Sequence, residues 1–296
     1  MAIPEAQLDT WAHQGSIIQS SATYATVRAA LEAANAAYAA SDYSVFLQGS
    51  YGNDTNIYAD SDVDVVIQLN ATIYYDDHEL PEPTRSQRRQ GITTATYSHA
   101  KFKRDVEARL RSAFPNMVTP GDKAIFIAPS DNRRKADVLA ATAYRRYYLR
   151  QASSVPTFTE GLCFFKPDGT RVVNYPKLHS ARCTDKHQAT NQWFKPVVRI
   201  FKNMRNRAIA DGQLGADIAP SYFIEGMLYN IPDEQFGGSY GQSVLNALVW
   251  LRDCDRAALV TASGQHYLVR AGFSTSWLLE KFETYLSVMI NQWNQW

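Results

Sequence analysis

The chain has 296 residues, of which 45% are hydrophobic, 12% aromatic and 20% charged. This composition excludes an intrinsically disordered or low-complexity protein. The 30 lysine and arginine residues nearly balance the 29 aspartate and glutamate residues, for a net charge of +1, which argues against a protein that coats a long nucleic acid or an anionic membrane. Because domains contain about 150 residues, the length predicts two domains or one large one.

The cysteines and the N-terminus indicate the compartment. The 3 cysteines have neither the even number of a disulfide framework nor the C-x-x-C spacing of a zinc site. Met1-Ala2-Ile3-Pro4-Glu5 has no basic region followed by an apolar run, and the chain contains no apolar stretch of about 18 residues. We therefore expect a soluble, cytoplasmic protein.

In the first half of the chain, hydrophobic periodicity predicts an α/β fold. The predicted elements are a helix at 22–40, a strand at 43–47, a polar loop at 48–60, a strand at 62–69, a helix at 102–113 and a hairpin of segments 123–128 and 135–148. Segment 70–92 is polar, contains two prolines and is expected to be a surface excursion.

The second half is predicted to be mainly helical. A hairpin at 162–174 turns at Asp168-Gly169. The apolar residues that follow predict helices at 193–210, 221–230, 239–256 and 274–293. We therefore place an α/β domain at 1–160 and a helical domain at 161–296, with an N-terminal helix that packs on both.

Two carboxylates carry the first chemical signal. Asp62 and Asp64 are one residue apart, so on a strand both side chains point to one face. An isolated D-x-D is most often an exposed strand edge. Here Gly49-Ser50 follows the preceding strand, as required of a backbone turn that holds a triphosphate beside metal-binding acids.

These residues resemble a known family. Gln48-Gly49-Ser50-Tyr51-Gly52-Asn53-Asp54-Thr55-Asn56-Ile57 and Ser61-Asp62-Val63-Asp64-Val65-Val66-Ile67 resemble the signature of polymerase-beta-like nucleotidyltransferases. More narrowly, they resemble bacterial cyclic-oligonucleotide synthases related to cyclic GMP-AMP synthase and oligoadenylate synthase, and segments 193–203 and 220–230 resemble the clade E branch. The resemblance implies an α/β (α+β) nucleotidyltransferase domain with a mixed sheet, a C-terminal helical domain and an active-site cleft between them.

The resemblance also implies a third metal-binding acid and a nucleotide site. Asp137, in a predicted strand, is the preferred third acid, and Asp131 is its rival in the adjacent turn. With Asp62 and Asp64 it would hold two Mg²⁺ ions, for which Mn²⁺ can substitute. The nucleotide would be bound by Gln48, Gly49 and Ser50.

Three further side chains are assigned through the resemblance alone. Lys202 is either a solvated helical lysine or a triphosphate contact, with Ser221 supplying a hydroxyl. Asn174 is either a turn residue at a strand end or a pyrimidine selector, because an amide both donates to and accepts from uracil. His179 and His187 flank Cys183 without zinc spacing and receive no role.

The resemblance implies template-independent synthesis of a cyclic dinucleotide from two nucleoside triphosphates, with release of pyrophosphate, in antiphage defence. Its product would be cyclic UMP-AMP or a cyclic dipyrimidine. The partners would be ATP, UTP or other triphosphates and an effector that binds the product, with no long nucleic acid, no membrane and a monomeric state. The alternatives are a linear nucleotidyltransferase acting on RNA 3′ ends or a small molecule, and an inactive nucleotide-binding or antitoxin-like module.

Overall fold

The computed structural model describes residues 2–15, 17–58, 62–151 and 155–296 of the chain. Contacts divide the chain into two compact units. A sheet unit comprises residues 18–48 and 61–176, and a helical unit comprises residues 1–17, 49–60 and 177–296. Both units are therefore assembled from separate stretches of sequence.

Strands form where β-branched and aromatic residues favour an extended backbone. The described residues of the sheet unit contain seven strands: β1 (Tyr43–Leu47), β2 (Val63–Asp76), β3 (Val118–Pro120), β4 (Ile125–Ile127), β5 (Ala136–Leu149), β6 (Pro156–Phe165) and β7 (Arg171–Asn174). Their order is β1-β2-β5-β4-β3, and β6 pairs with β5 and β7. The sheet is mixed, because β2 and β5 are parallel whereas the other pairs are antiparallel.

Helices are present in both units. In chain order they are α1 (Glu5–Ala12), α2 (Ile18–Leu31), α3 (Gly49–Gly52), α4 (Thr84–Arg89), α5 (His99–Ala113), α6 (Pro176–Ala189), α7 (Phe194–Ala210), α8 (Ser221–Tyr229), α9 (Tyr240–Asp253) and α10 (Leu279–Gln295). In the sheet unit, α2 and α5 pack on one face of the sheet. The buried residues Phe102, Val106 and Leu110 recur every four positions, so they form the stripe by which α5 is buried.

The other face of the sheet carries a second apolar cluster. Its buried members come from four adjacent strands and are Val66, Leu139, Ala141, Leu162, Phe164 and Val172. Alternation along β2 and β5 then places Asp64 and Asp137 on this same face, two residues before Val66 and Leu139. The carboxylates therefore lie at one end of an apolar sheet face.

The β2–β5 ladder contains one irregularity. Its register is regular from the pair Val63 and Ala136 to the pair Leu69 and Thr142, and it resumes at Ile73 opposite Ala143. The extra β2 residues between these pairs form a bulge. The bulge divides β2 into a first part that carries Asp64 and a second part that ends at Asp76.

The described residues of the helical unit form a large apolar core. On α7, Val197, Phe201, Met204 and Ala208 are buried at helical spacing. They join apolar residues of α1, α6, α8, α9 and α10 in one cluster. No helix among the described residues is long and apolar enough to span a membrane.

Comparison with the sequence-based elements shows both agreement and differences. Strand β1 has the predicted bounds, whereas the helix predicted at 22–40 ends at Leu31 and is followed by turns. Periodicity missed α1, α4, α6 and the short strand β3. Strand β2 also continues to Asp76, into the segment predicted to be a surface excursion. The domain boundary predicted at residue 160 falls within β6, which pairs with β5 and belongs to the sheet. The division into two domains at that point stays a prediction.

Candidate active site

The predicted acids are arranged by the parallel strands. Asp64 and Asp137 are direct register partners on β2 and β5, and neighbouring strands lie about 4.8 Å apart. Asp62 directly precedes β2, two residues before Asp64. Ser61, the residue before it, lies outside the described residues.

A lysine compensates part of this negative charge. The Lys135 Nζ atom lies 2.5 Å from the Oδ1 atom of Asp62, and both side chains are partly exposed. Burial raises the pKa of the Asp137 carboxyl, and the positive charge of Lys135 opposes that shift. A cation near these carboxylates is thus favoured, as expected for acids held close together.

The fit of a divalent metal can be judged from the donors. Within the described ranges of the chain, no three His, Cys, Asp or Glu side chains are gathered closely enough to hold one metal ion. The kind of donor nevertheless suits Mg²⁺, which prefers carboxylate oxygens, and the ladder fixes the backbones of Asp64 and Asp137 opposite each other. Lys135, bound to Asp62, occupies an oxygen that a metal would need.

Asp131, the rival third acid, is placed differently. It is exposed, in the turn that the backbone bridge between Ser130 and Arg133 closes. Asp137 is half-buried within the β5 ladder. The choice of Asp137 as the third acid stays a prediction.

The glycine-serine turn begins where β1 ends. The backbone N–H of Gln48 donates to the Asp64 carbonyl over 3.0 Å, and the next residue, Gly49, has a φ of +66°. This left-handed conformation favours glycine because it has no Cβ atom. The segment predicted as a loop then forms α3, and the Ser50 carbonyl accepts from the backbone N–H of Thr55 at 2.9 Å. Residues 59 and 60 of the predicted loop lie outside the described residues.

In the helical unit, Lys202 is a buried ion-pair partner. Its side chain is 0% exposed, so its interpretation as a solvated helical lysine is wrong. The Nζ atom lies 2.9 Å from the Ser50 Oγ atom, 2.9 Å from a Glu225 oxygen, and 3.1 and 3.0 Å from the carbonyl and hydroxyl oxygens of Thr55. Lys202 therefore connects α7 to the glycine-serine turn.

Glu225, on α8, accepts from the same group of residues. Its oxygens accept from the Asn53 amide at 2.9 Å, the Thr55 hydroxyl at 2.5 Å, the His179 Nε2 atom at 2.8 Å and Lys202. Burial by itself raises the pKa of the Glu225 carboxyl, but the Lys202 ammonium and these hydrogen bonds hold it below its usual range. We call Asn53, Thr55, His179, Lys202 and Glu225 the polar hub.

Ser221 and Asn174 lie in different units. Ser221 is the first residue of α8, and its Oγ atom accepts from Arg205 at 3.2 Å. Asn174 ends β7 opposite Leu162, so it shares the sheet face of the carboxylates. Its Oδ1 atom accepts from the backbone N–H of Tyr175 at 2.8 Å, a contact consistent with its turn-residue interpretation.

Sequence reasoning missed most of the polar hub. Glu225 is a lone acid within the apolar segment Ser221–Tyr229, and Lys202 lies one helical turn after Val198 on the buried side of α7. A charge on an apolar helical face is uncommon unless it is paired. This signal could have predicted that both residues are buried, although not that they are partners.

The molecule has the features of a nucleotidyltransferase. These are a mixed sheet with paired acids on neighbouring strands, a glycine-serine turn before the first acid, and a helical unit. Residues 181–294 of the chain match the family model of the cGAS/DncV-like nucleotidyltransferase C-terminal helical domain. A cyclic UMP-AMP synthase of Rhodothermus marinus is 37% identical over 100% of this chain and 99% of its own length. The cyclic nucleotide synthase CdnE01 of Staphylococcus haemolyticus is 31% identical over the whole of both chains.

A solved structure extends the similarity to the fold. The Rhodothermus marinus CdnE c-UMP-AMP synthase, determined with Apcpp and Upnpp, covers 99% of this chain and 97% of its own, with a TM-score of 0.88 and 36% identity. The chain belongs to the CD-NTase family of nucleotidyltransferases. The family resemblance and the fold class predicted from the sequence are confirmed, and dependence on a divalent metal is general in this family.

Proposed function

We propose that the chain joins two nucleoside triphosphates into a cyclic dinucleotide that contains a pyrimidine, with cyclic UMP-AMP as the expected product. The observation that carries this proposal is full-length similarity to a cyclic UMP-AMP synthase, together with the register pair of Asp64 and Asp137. ATP and UTP are the expected substrates, and release of two pyrophosphates accompanies closure of the ring.

Asp62, Asp64 and Asp137 are the residues that would hold the metal, as two Mg²⁺ ions. When bound, the metal would lower the pKa of the attacking ribose hydroxyl and neutralise the charge of the leaving pyrophosphate. The chain contributes the strand register that holds Asp64 opposite Asp137, and it places Asp62 directly before β2. The Lys135 ammonium lies 2.5 Å from an Asp62 oxygen and offsets part of the negative charge of the acids.

Gln48, Gly49 and Ser50 would bind the triphosphate. Gly49 has no Cβ atom, so phosphate oxygens can approach the backbone N–H groups of the turn closely. Ser221 would add a hydroxyl. The position of Lys202 supports a different role from that of a free triphosphate cation, because four protein oxygens already surround its ammonium.

Asn174 would select the pyrimidine. Its Oδ1 atom has a second lone pair besides the one that receives the Tyr175 N–H, and its Nδ2 group supplies two donors. A base that leaves such groups unpaired in a closed site loses about 1–3 kcal/mol for each group. This corresponds to roughly a ten- to hundredfold preference.

The product would act as a second messenger in antiphage defence, read by an effector that binds it, inside the cytoplasm. The enzyme would work as a monomer. The nearly neutral charge of the chain argues against the alternative of a long RNA acceptor, since RNA-binding proteins are usually basic.

The test is incubation of the protein with all four nucleoside triphosphates and Mg²⁺, followed by chromatography after phosphatase treatment, which removes linear products with terminal phosphates. We expect a phosphatase-resistant dinucleotide that contains uridine, and no such product from the Asp62→Ala, Asp64→Ala double variant at unchanged helical content. Phosphatase-sensitive products alone would indicate linear transfer, and no consumption of any triphosphate would indicate an inactive module. A product from the double variant would refute the assignment of the acids.

A further inference from the structure

The polar hub contains a carboxylate that neither metal binding nor base selection explains. Glu225 is 2% exposed, on a helix whose neighbouring residues Ile224, Met227 and Leu228 are fully buried. Burying a carboxylate is unfavourable unless a cation and good hydrogen bonds compensate for the lost hydration. Here four donors compensate it. We therefore look for a role of the Glu225 carboxylate that an apolar side chain could not have.

The contacts of Glu225 lead to the glycine-serine turn by two routes. One route runs through Lys202, whose Nζ atom contacts both Glu225 and the Ser50 Oγ atom. The other runs through Thr55, whose hydroxyl donates to Glu225 and whose backbone N–H donates to the Ser50 carbonyl. Both routes end on Ser50, at its side chain and at its backbone.

Lys202 acts in this arrangement as a fixed connector. An ammonium has three N–H donors, and four acceptors surround the Nζ atom within 3.1 Å. Its donors are therefore fully used by the protein. The position of the ammonium is set by Glu225, the one ionised partner among those acceptors, because charge-assisted hydrogen bonds are about twice as strong as neutral ones.

His179 supports the carboxylate from the other side. Its ring stacks on Tyr222 at a centroid distance of 5.0 Å, and its Nε2 atom is 2.8 Å from Glu225. To donate to an ionised carboxylate, Nε2 must carry a proton. The Nδ1 atom is buried and has no hydrogen-bond partner among the described residues.

We propose that Glu225 is a positioning residue for nucleotidyl transfer: through Lys202 and Thr55 its carboxylate fixes Ser50 in the orientation that receives the triphosphate. The inference rests on the proposed function of the turn. It assigns Glu225 no contact with substrate or metal. Small displacements of a binding group can lower the rate of an enzyme by as much as about a hundredfold, so we expect Glu225→Gln to lower kcat/KM by roughly ten- to a hundredfold.

A double-mutant cycle between Glu225→Gln and Ser50→Ala tests the inference. The readouts are kcat/KM for pyrophosphate release and the affinity for a non-hydrolysable ATP analogue measured by calorimetry. If Glu225 acts through Ser50, the Ser50→Ala change costs much less in the Glu225→Gln background than in the wild type. Tyr285→Phe is the matched control, since it removes a buried hydrogen bond of 3.1 Å to the Phe201 carbonyl in the same unit, and its effects should add to those of Ser50→Ala.

Additive effects of Glu225→Gln and Ser50→Ala, or no effect of Ser50→Ala alone, would overturn the inference. If Glu225→Gln does not fold, Thr55→Val takes its place in the cycle, because it keeps the ion pair and removes one route. Failure of the proposed function gives a different result, a wild-type protein that binds the analogue but forms no cyclic product. The affinity cycle then still decides whether Glu225 and Ser50 are coupled.

Discussion

Replacing Lys202 by methionine should destabilise the protein strongly. The substitution keeps the length of the side chain and removes the ammonium, so Glu225 is left buried without its cation. Breaking a buried pair in this way costs about 3–5 kcal/mol. We expect a loss of unfolding free energy in this range at pH 7 and a fall in Tm on the order of 10 °C.

An exposed ion pair in the same protein provides the control for this loss of unfolding free energy. Lys281 and Asp217 form an ion pair at 2.6 Å, shorter than the 2.9 Å of Lys202 and Glu225, but the Asp217 side chain is 77% exposed and that of Glu225 only 2%. Solvent screens the exposed pair, so Lys281→Met should lower the unfolding free energy far less than Lys202→Met. The expected difference in stability between the two variants therefore comes from the burial of the ion pairs and not from their N–O distances.

The assay is urea unfolding followed by tryptophan fluorescence and far-UV circular dichroism. A second variant, Lys202→Met with Glu225→Gln, removes both charges and should recover a large part of the lost stability, because no buried charge is then left without a partner. If Lys202→Met is destabilised no more than Lys281→Met, the description of Lys202 and Glu225 as a buried ion pair is refuted.

Three further predictions concern the acids and the base. Asp137→Asn should abolish product formation while Asp131→Asn leaves it within about twofold, because an amide cannot replace a carboxylate on Mg²⁺; the opposite result would transfer the third metal ligand to Asp131. Hydrogen bonds from Arg89 hold the pKa of Asp77 below its usual range, so the stability it contributes is present above about pH 4 and is lost as the pH falls towards its folded pKa. Acid titration of unfolding free energy should therefore be flatter in Asp77→Asn than in wild type, and identical curves would contradict this. Asn174→Ser should increase the purine content of the product at unchanged total pyrophosphate release, and an unchanged nucleotide composition on chromatography would remove Asn174 from base selection.

The sequence alone predicts those features that depend on neighbours along the chain. The alternation around Asp64 and the turn at Asp168-Gly169 predict β2 and the hairpin of β6 and β7, and both occur in the structure. Helix α6 has a weak pattern, with two buried residues, His179 and Cys183. A period of 3.6 residues cannot be read from two positions.

The polar hub depends on pairing between distant residues. Asn53 and Glu225 are 172 positions apart, and the Thr55 and Lys202 side chains are 147 apart. Local patterns carry no information about which buried charge meets which partner. A buried carboxylate such as Glu225 can be predicted to need a cation. The sequence does not show which of the lysines and arginines of the chain provides it.

The bulge in β2 has a consequence for how the length of this chain can vary. Between Val63 and Leu69 the ladder holds Asp64 opposite Asp137, and an inserted residue there would turn one of these side chains to the other face. Beyond the bulge, from Ile73 onward, the two strands pair in a second register. Strand β4 pairs with β5 directly at Asp137, so a change of length within β4 would disturb that acid. Insertions or deletions between Asp76 and His99, before α5 begins, would leave the pairing of Asp64 with Asp137 in place, and there we expect lengths to diverge most among descendants of this chain.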